Sequence, residues 1–94
     1  MSEKFDCAVI GTGPAGVSAS ITLKIRGKKI VLFGSKNLSE KLLKAKVIKN
    51  YPGFPLISGS ELKDKFLEHL ESLQIQITEE NIVSIYNMGS YFSI

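Results

Sequence analysis

The chain has 94 residues, 44% of them hydrophobic, and a formal net charge of +3, which suits one modest core and excludes both a disordered polar segment and a complete two-domain enzyme. Its longest apolar runs have four residues and Met1–Asp6 lacks the basic-then-apolar order of a secretory signal. No membrane helix is therefore expected, and a cytoplasmic location follows as the default.

In chain order, Phe5 to Ile10 predicts a buried strand, with Cys7-Ala8-Val9-Ile10 an unbroken apolar run and Cys7 an inert core residue. Gly11-Thr12-Gly13-Pro14-Ala15-Gly16 follows in a G-x-G-x-x-G arrangement. Gly11 permits a tight turn, Gly13 lets the backbone approach an anion, and Gly16 lets the next helix pack against the strand just left. Pro14 suits the first turn of that helix, whose N-terminus aims N–H groups and dipole at a diphosphate. Such a glycine pattern occurs by chance, so its flanks decide. Ala15 to Arg26 has apolar or small residues all round and predicts a helix covered on most of its surface, ended by Gly27 with Lys24 and Arg26 in its last turn. Ile30-Val31-Leu32-Phe33 is a second buried strand. Together these segments make a βαβ unit of the length expected for mononucleotide binding.

From Gly34 to Asn50 turn formers and lysines follow without a clear period, as in a long functional loop. Lys24 to Lys49 contains nine basic residues against one acid, Glu40, a basic patch suited to cofactor phosphates or an acidic protein partner. Nucleic acid is disfavoured, because no aromatic residues are interleaved to stack bases. Asn50-Tyr51-Pro52-Gly53-Phe54-Pro55 is a turn cluster. Ser58 and Glu61 then form a capping box before a helix with the apolar stripe Leu62, Phe66, Leu70 and Leu73. His69, the only histidine, falls within that helix and is expected at its surface. Gln74 to Thr78 alternates as a strand, and Asn81–Tyr86 and Tyr91–Ile94 predict a hairpin. No C-x-x-C, G-x-S-x-G or metal-spaced His/Cys cluster is present, so no catalytic residue or metal ligand is assigned.

The Val-Ile-Gly-Thr-Gly-Pro-Ala-Gly turn, Asn50-Tyr51-Pro52-Gly53-Phe54 and Ile57-Ser58-Gly59-Ser60-Glu61-Leu62 together resemble the start of the FAD domain of low-molecular-weight thioredoxin reductases. The resemblance implies an α/β fold: a Rossmann-like FAD-binding βαβ unit, a capped helix and a small β-meander, incomplete at the C-terminus. Residues 1–94 would form the N-terminal part of one FAD-binding domain. Gly11, Thr12, Gly13, Pro14, Ala15 and Gly16 would hold the FAD diphosphate, Ser35 and Lys36 would be available to the ribose or a phosphate, and Asn50 would lie beside the flavin. Two positions depart from the family pattern. Gly34 replaces the acid that usually closes the second strand, and Ser39-Glu40-Lys41-Leu42 stands where Gly-Gly-Gln-Leu usually runs under the flavin, which brings Lys41 to the site. This loop is similar to that of clostridial-type flavin thioredoxin reductases that take electrons from ferredoxin instead of NADPH, so thioredoxin and ferredoxin are the implied partners. The family's redox Cys-x-x-C and second nucleotide domain are expected beyond position 94, and the 94 residues alone are expected not to reduce disulfides. The alternatives are an NAD(P)-binding module, compatible with Gly34-Ser35-Lys36, or an incomplete fragment that binds nothing by itself. An open sheet edge near Ile94 would invite association, a homodimer included.

Overall fold

The computed structural model describes residues 4–94. β1 (Cys7–Ile10), α1 (Pro14–Ile25) and β2 (Ile30–Phe33) form the expected βαβ unit, its strands parallel with Cys7 opposite Ile30 and Ile10 opposite Phe33. Asp6 ties the start of both strands together. Its carboxylate accepts from Lys29 N at 2.7 Å and its own N–H donates to Lys29 O at 2.7 Å.

A short helix, α2 (Glu40–Lys44), lies inside the segment expected to be a loop. Five residues are too few to display a 3.6-residue period, but the start has a physical cause: Ser39 Oγ accepts from Leu42 N at 3.3 Å and caps the turn. Leu42 then points into the core. The following turn cluster is held as a small hairpin, in which Ile48 and Ile57 exchange backbone hydrogen bonds of 2.7 and 3.1 Å around Gly53, whose φ is +92°. Tyr51 stacks on Phe54 and meets Phe66 edge-on with ring centroids 5.5 Å apart, which docks this hairpin on the next helix.

That helix, α3 (Gly59–Ser72), starts with the predicted capping box. Glu61 N donates to Ser58 Oγ at 3.1 Å, and Ser58 N donates back to Glu61 Oε1 at 3.4 Å. Leu62, Phe66 and Leu70 of the predicted stripe are buried and Leu73 is half-buried, while His69 is exposed. They form one core with Val17 of α1, Leu32 of β2, Leu42 of α2, and Leu38, Ile57 and Ile75 from the connections.

After α3 the chain enters β3 (Ile77–Thr78), which pairs parallel with β2 and gives the sheet order β1-β2-β3. β4 (Tyr86–Asn87) and β5 (Phe92–Ser93) form the expected antiparallel hairpin, with strands shorter than the sequence pattern indicates. Asn81–Ile85 is outside any strand, and Val83, Tyr86 and Phe92 are exposed.

Two further expectations are corrected. β1 is not buried on both faces: Ala8 and Ile10 are exposed, and Cys7 is half-buried rather than core. Likewise α1 buries only Val17 and Ser20, with Ala15, Ala19 and Ile25 open. In β1 the alternation of half-buried Cys7 and Val9 with exposed Ala8 and Ile10 marks one covered and one uncovered face, and among the described elements β1 packs only on β2 and α1. No helix among the described residues is long and apolar enough to cross a membrane.

Candidate functional site

The strand-to-helix turn sits at the C-terminal edge of β1 and β2. Gly11 has a φ of +121°, a conformation open to glycine at little cost, and its N–H donates to Phe33 O at 2.8 Å, so the turn begins as an extension of the β1–β2 ladder. A Cβ on Gly16 would collide with the Gly11 carbonyl oxygen, and this close approach lets α1 fold straight back over the strand.

Gly13 is the N-cap of α1, with no side-chain cap, and Pro14 occupies the first helical position. The first helical bond runs from Val17 N to Gly13 O at 3.0 Å, so the N–H groups of Ala15 and Gly16 precede the internal ladder. By contrast, α2 and α3 are each closed by a serine. A Cβ on Gly13 would meet no heavy atom within 4 Å, so the N-cap position itself borders open space. Helix polarity and donor direction suit an anion there, and no acid stands in the first turn to compete. The residues present therefore fit the diphosphate of a dinucleotide.

Thr12 has a structural role that residue spacing does not reveal. It is buried, and its hydroxyl donates to Leu38 O at 2.8 Å, lies 3.2 Å from Ser35 O, and accepts from Ser35 N at 3.2 Å. These bonds tie the glycine turn to the turn after β2. Gly34 passes directly beneath Thr12, while Ser35 and Lys36 stand exposed beyond it. Lys36 N donates to Glu79 Oε2 at 3.0 Å, which brings the end of β3 to the same edge. Leu38 and Glu79 are the residues missed by sequence reasoning. Leu38 carries a φ of +64°, unusual for a leucine, and nothing in its neighbours signals it.

The structure thus brings Gly11 to Gly16 together with Gly34, Ser35 and Lys36. Lys41 is exposed on α2, and Asn50 lines a shallow groove with Lys49, Tyr51, Pro52, Gly53 and Pro55. Neither Lys41 nor Asn50 hydrogen-bonds to the glycine turn among the described residues. The nine basic residues do not make one patch. Lys24, Arg26, Lys28 and Lys29 lie where α1 ends and β2 begins, at the opposite end of the parallel strands from the glycine turn, and Lys36, Lys41, Lys44, Lys46 and Lys49 follow the C-terminal end of β2.

Comparison with known proteins bears on the family and the fold. The model of the pyridine nucleotide-disulphide oxidoreductase family matches residues 5–93. A crystal structure of a ferredoxin-flavin thioredoxin reductase from Clostridium acetobutylicum is 56% identical, with a TM-score of 0.94 over 97% of this chain and 32% of that one. A thioredoxin reductase of Mycoplasma genitalium is 27% identical over 94% of this chain and 28% of its own length. A ferredoxin--NADP reductase of Streptococcus sanguinis is 32% identical over the whole of this chain and 31% of its own length. The chain spans less than a third of each of these relatives.

Proposed function

Because the chain belongs to the pyridine nucleotide-disulphide oxidoreductase family and has the thioredoxin reductase fold, we propose that residues 1–94 are the N-terminal part of its FAD-binding domain. The observation that carries this proposal is the uncapped N-terminus of α1, facing open space at Gly13. In it, the N–H groups of Gly13, Ala15 and Gly16 hold the diphosphate, Thr12 braces the turn, and Gly34, Ser35 and Lys36 border the ribose. Lys41 and Asn50 approach the flavin from α2 and the hairpin. Bound FAD supplies two-electron redox chemistry, and these residues supply binding and orientation. The protein works in the cytoplasm, with thioredoxin as its disulfide partner.

Ferredoxin is the electron donor in this proposal. The 56% identity to a ferredoxin-flavin thioredoxin reductase and the five lysines between Lys36 and Lys49 support it. The test is anaerobic reduction of the flavin of the full-length protein, offered reduced ferredoxin and NADPH separately. Bleaching by ferredoxin alone is expected. Bleaching by NADPH with no response to ferredoxin would remove the donor assignment and leave FAD binding intact, whereas a full-length protein that is colourless and takes up no FAD would remove both.

A further inference from the structure

Dinucleotide folds of this type commonly end the second strand on a carboxylate that accepts a hydrogen bond from the adenosine ribose. Here that position is Gly34, and its conformation does not demand glycine, since its φ is not positive. The neighbour demands it. A Cβ on Gly34 would collide with Thr12 Cγ2 and stand 2.6 Å from Thr12 Oγ1 and 3.0 Å from Thr12 Cβ. Thr12 has no freedom to move aside, because it is 5% exposed and its hydroxyl is committed to Leu38 and Ser35.

Those same bonds shape what replaces the carboxylate. Asn37 N donates to Ser35 Oγ at 3.0 Å and Leu38 N donates to Ser35 O at 2.9 Å. The serine oxygen thus already accepts from within its own turn, which leaves its O–H to donate outward, beside the exposed Lys36. We propose that Thr12 and Gly34 are one specificity determinant for the adenosine ribose. The threonine excludes an acid at position 34 and holds Ser35 so that a hydroxyl donor meets the ribose where a carboxylate acceptor otherwise stands. This rests on the dinucleotide-binding function proposed above. A carboxylate needs a ribose O–H and repels a 2′-phosphate, whereas a hydroxyl donor beside a lysine accommodates both.

The test uses the full-length apo-protein, with FAD rebinding followed by flavin fluorescence and with ADP-ribose and 2′-phospho-ADP-ribose as competitors. The unaltered protein is expected to be displaced by both competitors within about 3-fold of each other. The double variant Thr12→Gly/Gly34→Glu is expected to favour the unphosphorylated competitor by at least about 10-fold, the scale of one charged hydrogen bond gained or lost. Gly34→Glu alone should either fail to fold or lose at least about 10-fold in FAD affinity, and the added Thr12→Gly should recover folding and part of that affinity by removing the clash. Thr12→Val, which keeps the bulk and removes the hydroxyl, should weaken FAD by about 5-fold or more, while Thr12→Ser stays within about 2-fold. A Gly34→Glu protein that folds and binds FAD as tightly as the unaltered one would overturn the proposal, as would strong rejection of the 2′-phosphate by the unaltered protein. Unaltered apo-protein that takes up no FAD would instead overturn the dinucleotide assignment on which the pair's role depends.

Discussion

Gly59 and Leu42 meet backbone to backbone: a Cβ on Gly59, the first residue of α3, would overlap the carbonyl oxygen of Leu42 in α2, and Gly59 N donates to Ala45 O at 2.9 Å. The C-terminal carbonyls of α2 therefore close the N-terminus of α3, head to tail. Because the obstacle is backbone, it cannot rotate away. Gly59→Ala is expected to destabilise the protein by about 1–3 kcal/mol, the usual cost of overpacking, even though alanine is the better helix former. Urea unfolding measures it, and an unchanged midpoint would show that α2 yields without cost.

Gly16→Ala should be more damaging to binding than to folding. The new methyl would meet the Gly11 carbonyl oxygen and push α1 away from β1, turning the N–H groups of Ala15 and Gly16 off the proposed diphosphate position. FAD affinity is expected to fall by at least about 10-fold, a loss equivalent to about 1.4 kcal/mol. Fluorescence titration of the apo-protein checks it against Ala19→Ser, a change on the exposed face of α1 that is expected to leave affinity unaltered.

The capping box predicts a graded series. Ser58→Ala removes the acceptor of Glu61 N and should cost about 1 kcal/mol, within the 0.5–2 kcal/mol range found for such caps. Glu61→Gln keeps a side-chain acceptor for Ser58 N and should cost less. Equal losses in chemical unfolding would mean that the carboxylate charge at the helix N-terminus contributes as much as the bond accepted by Ser58.

Lys36, Lys41, Lys44, Lys46 and Lys49 follow the end of β2 that carries the glycine turn, whereas Lys24, Arg26, Lys28 and Lys29 lie at its other end, so the first set is expected to steer the proposed ferredoxin donor. Reversing charge at Lys41, Lys44 and Lys46 is expected to slow association and flatten its salt dependence, since attraction between exposed charges fades as the Debye length falls to about 10 Å near 0.1 M salt. Reversal at Lys24 and Lys28, at the opposite end of the strands, should leave the association rate unchanged. Stopped-flow flavin reduction across a salt series separates the two sets, and equal effects would point to net charge rather than a local surface.

Much of this architecture is legible in the sequence wherever a local rule is strong. The βαβ unit rests on two four-residue apolar runs and a glycine turn, and α3 on a capping box with a four-residue repeat; both stand where those signals put them. Illegible features depend on partners distant in sequence. α2 is too short to have a period, and its only local signal is Ser39 at the cap. The exposure of Ala8 and Ile10 is set by which face of β1 another element covers, which an unbroken apolar run cannot encode. Thr12 belongs to the glycine motif by spacing, yet its hydroxyl serves Leu38, 26 residues away. The basic residues are contiguous in sequence and separated in space because a βαβ crossover carries the chain from one end of the sheet to the other.

The register of the sheet also bears on the order in which the molecule assembles. Cys7 pairs with Ile30 across a single helix, whereas Leu32 finds Ile77 only after an excursion about twice as long, through α2, the hairpin and α3. Each doubling of a closed loop adds only about 0.6 kcal/mol of entropy cost, but β1 and β2 share four pairs and β2 and β3 only two. The first ladder gains more contacts for a cheaper closure, so β1, α1 and β2 are expected to form the folding nucleus and β3 to dock late. Truncating Leu32 should then slow refolding, while truncating Ile77 should mainly speed unfolding. The glycine turn would be shaped while the rest of the chain is still searching.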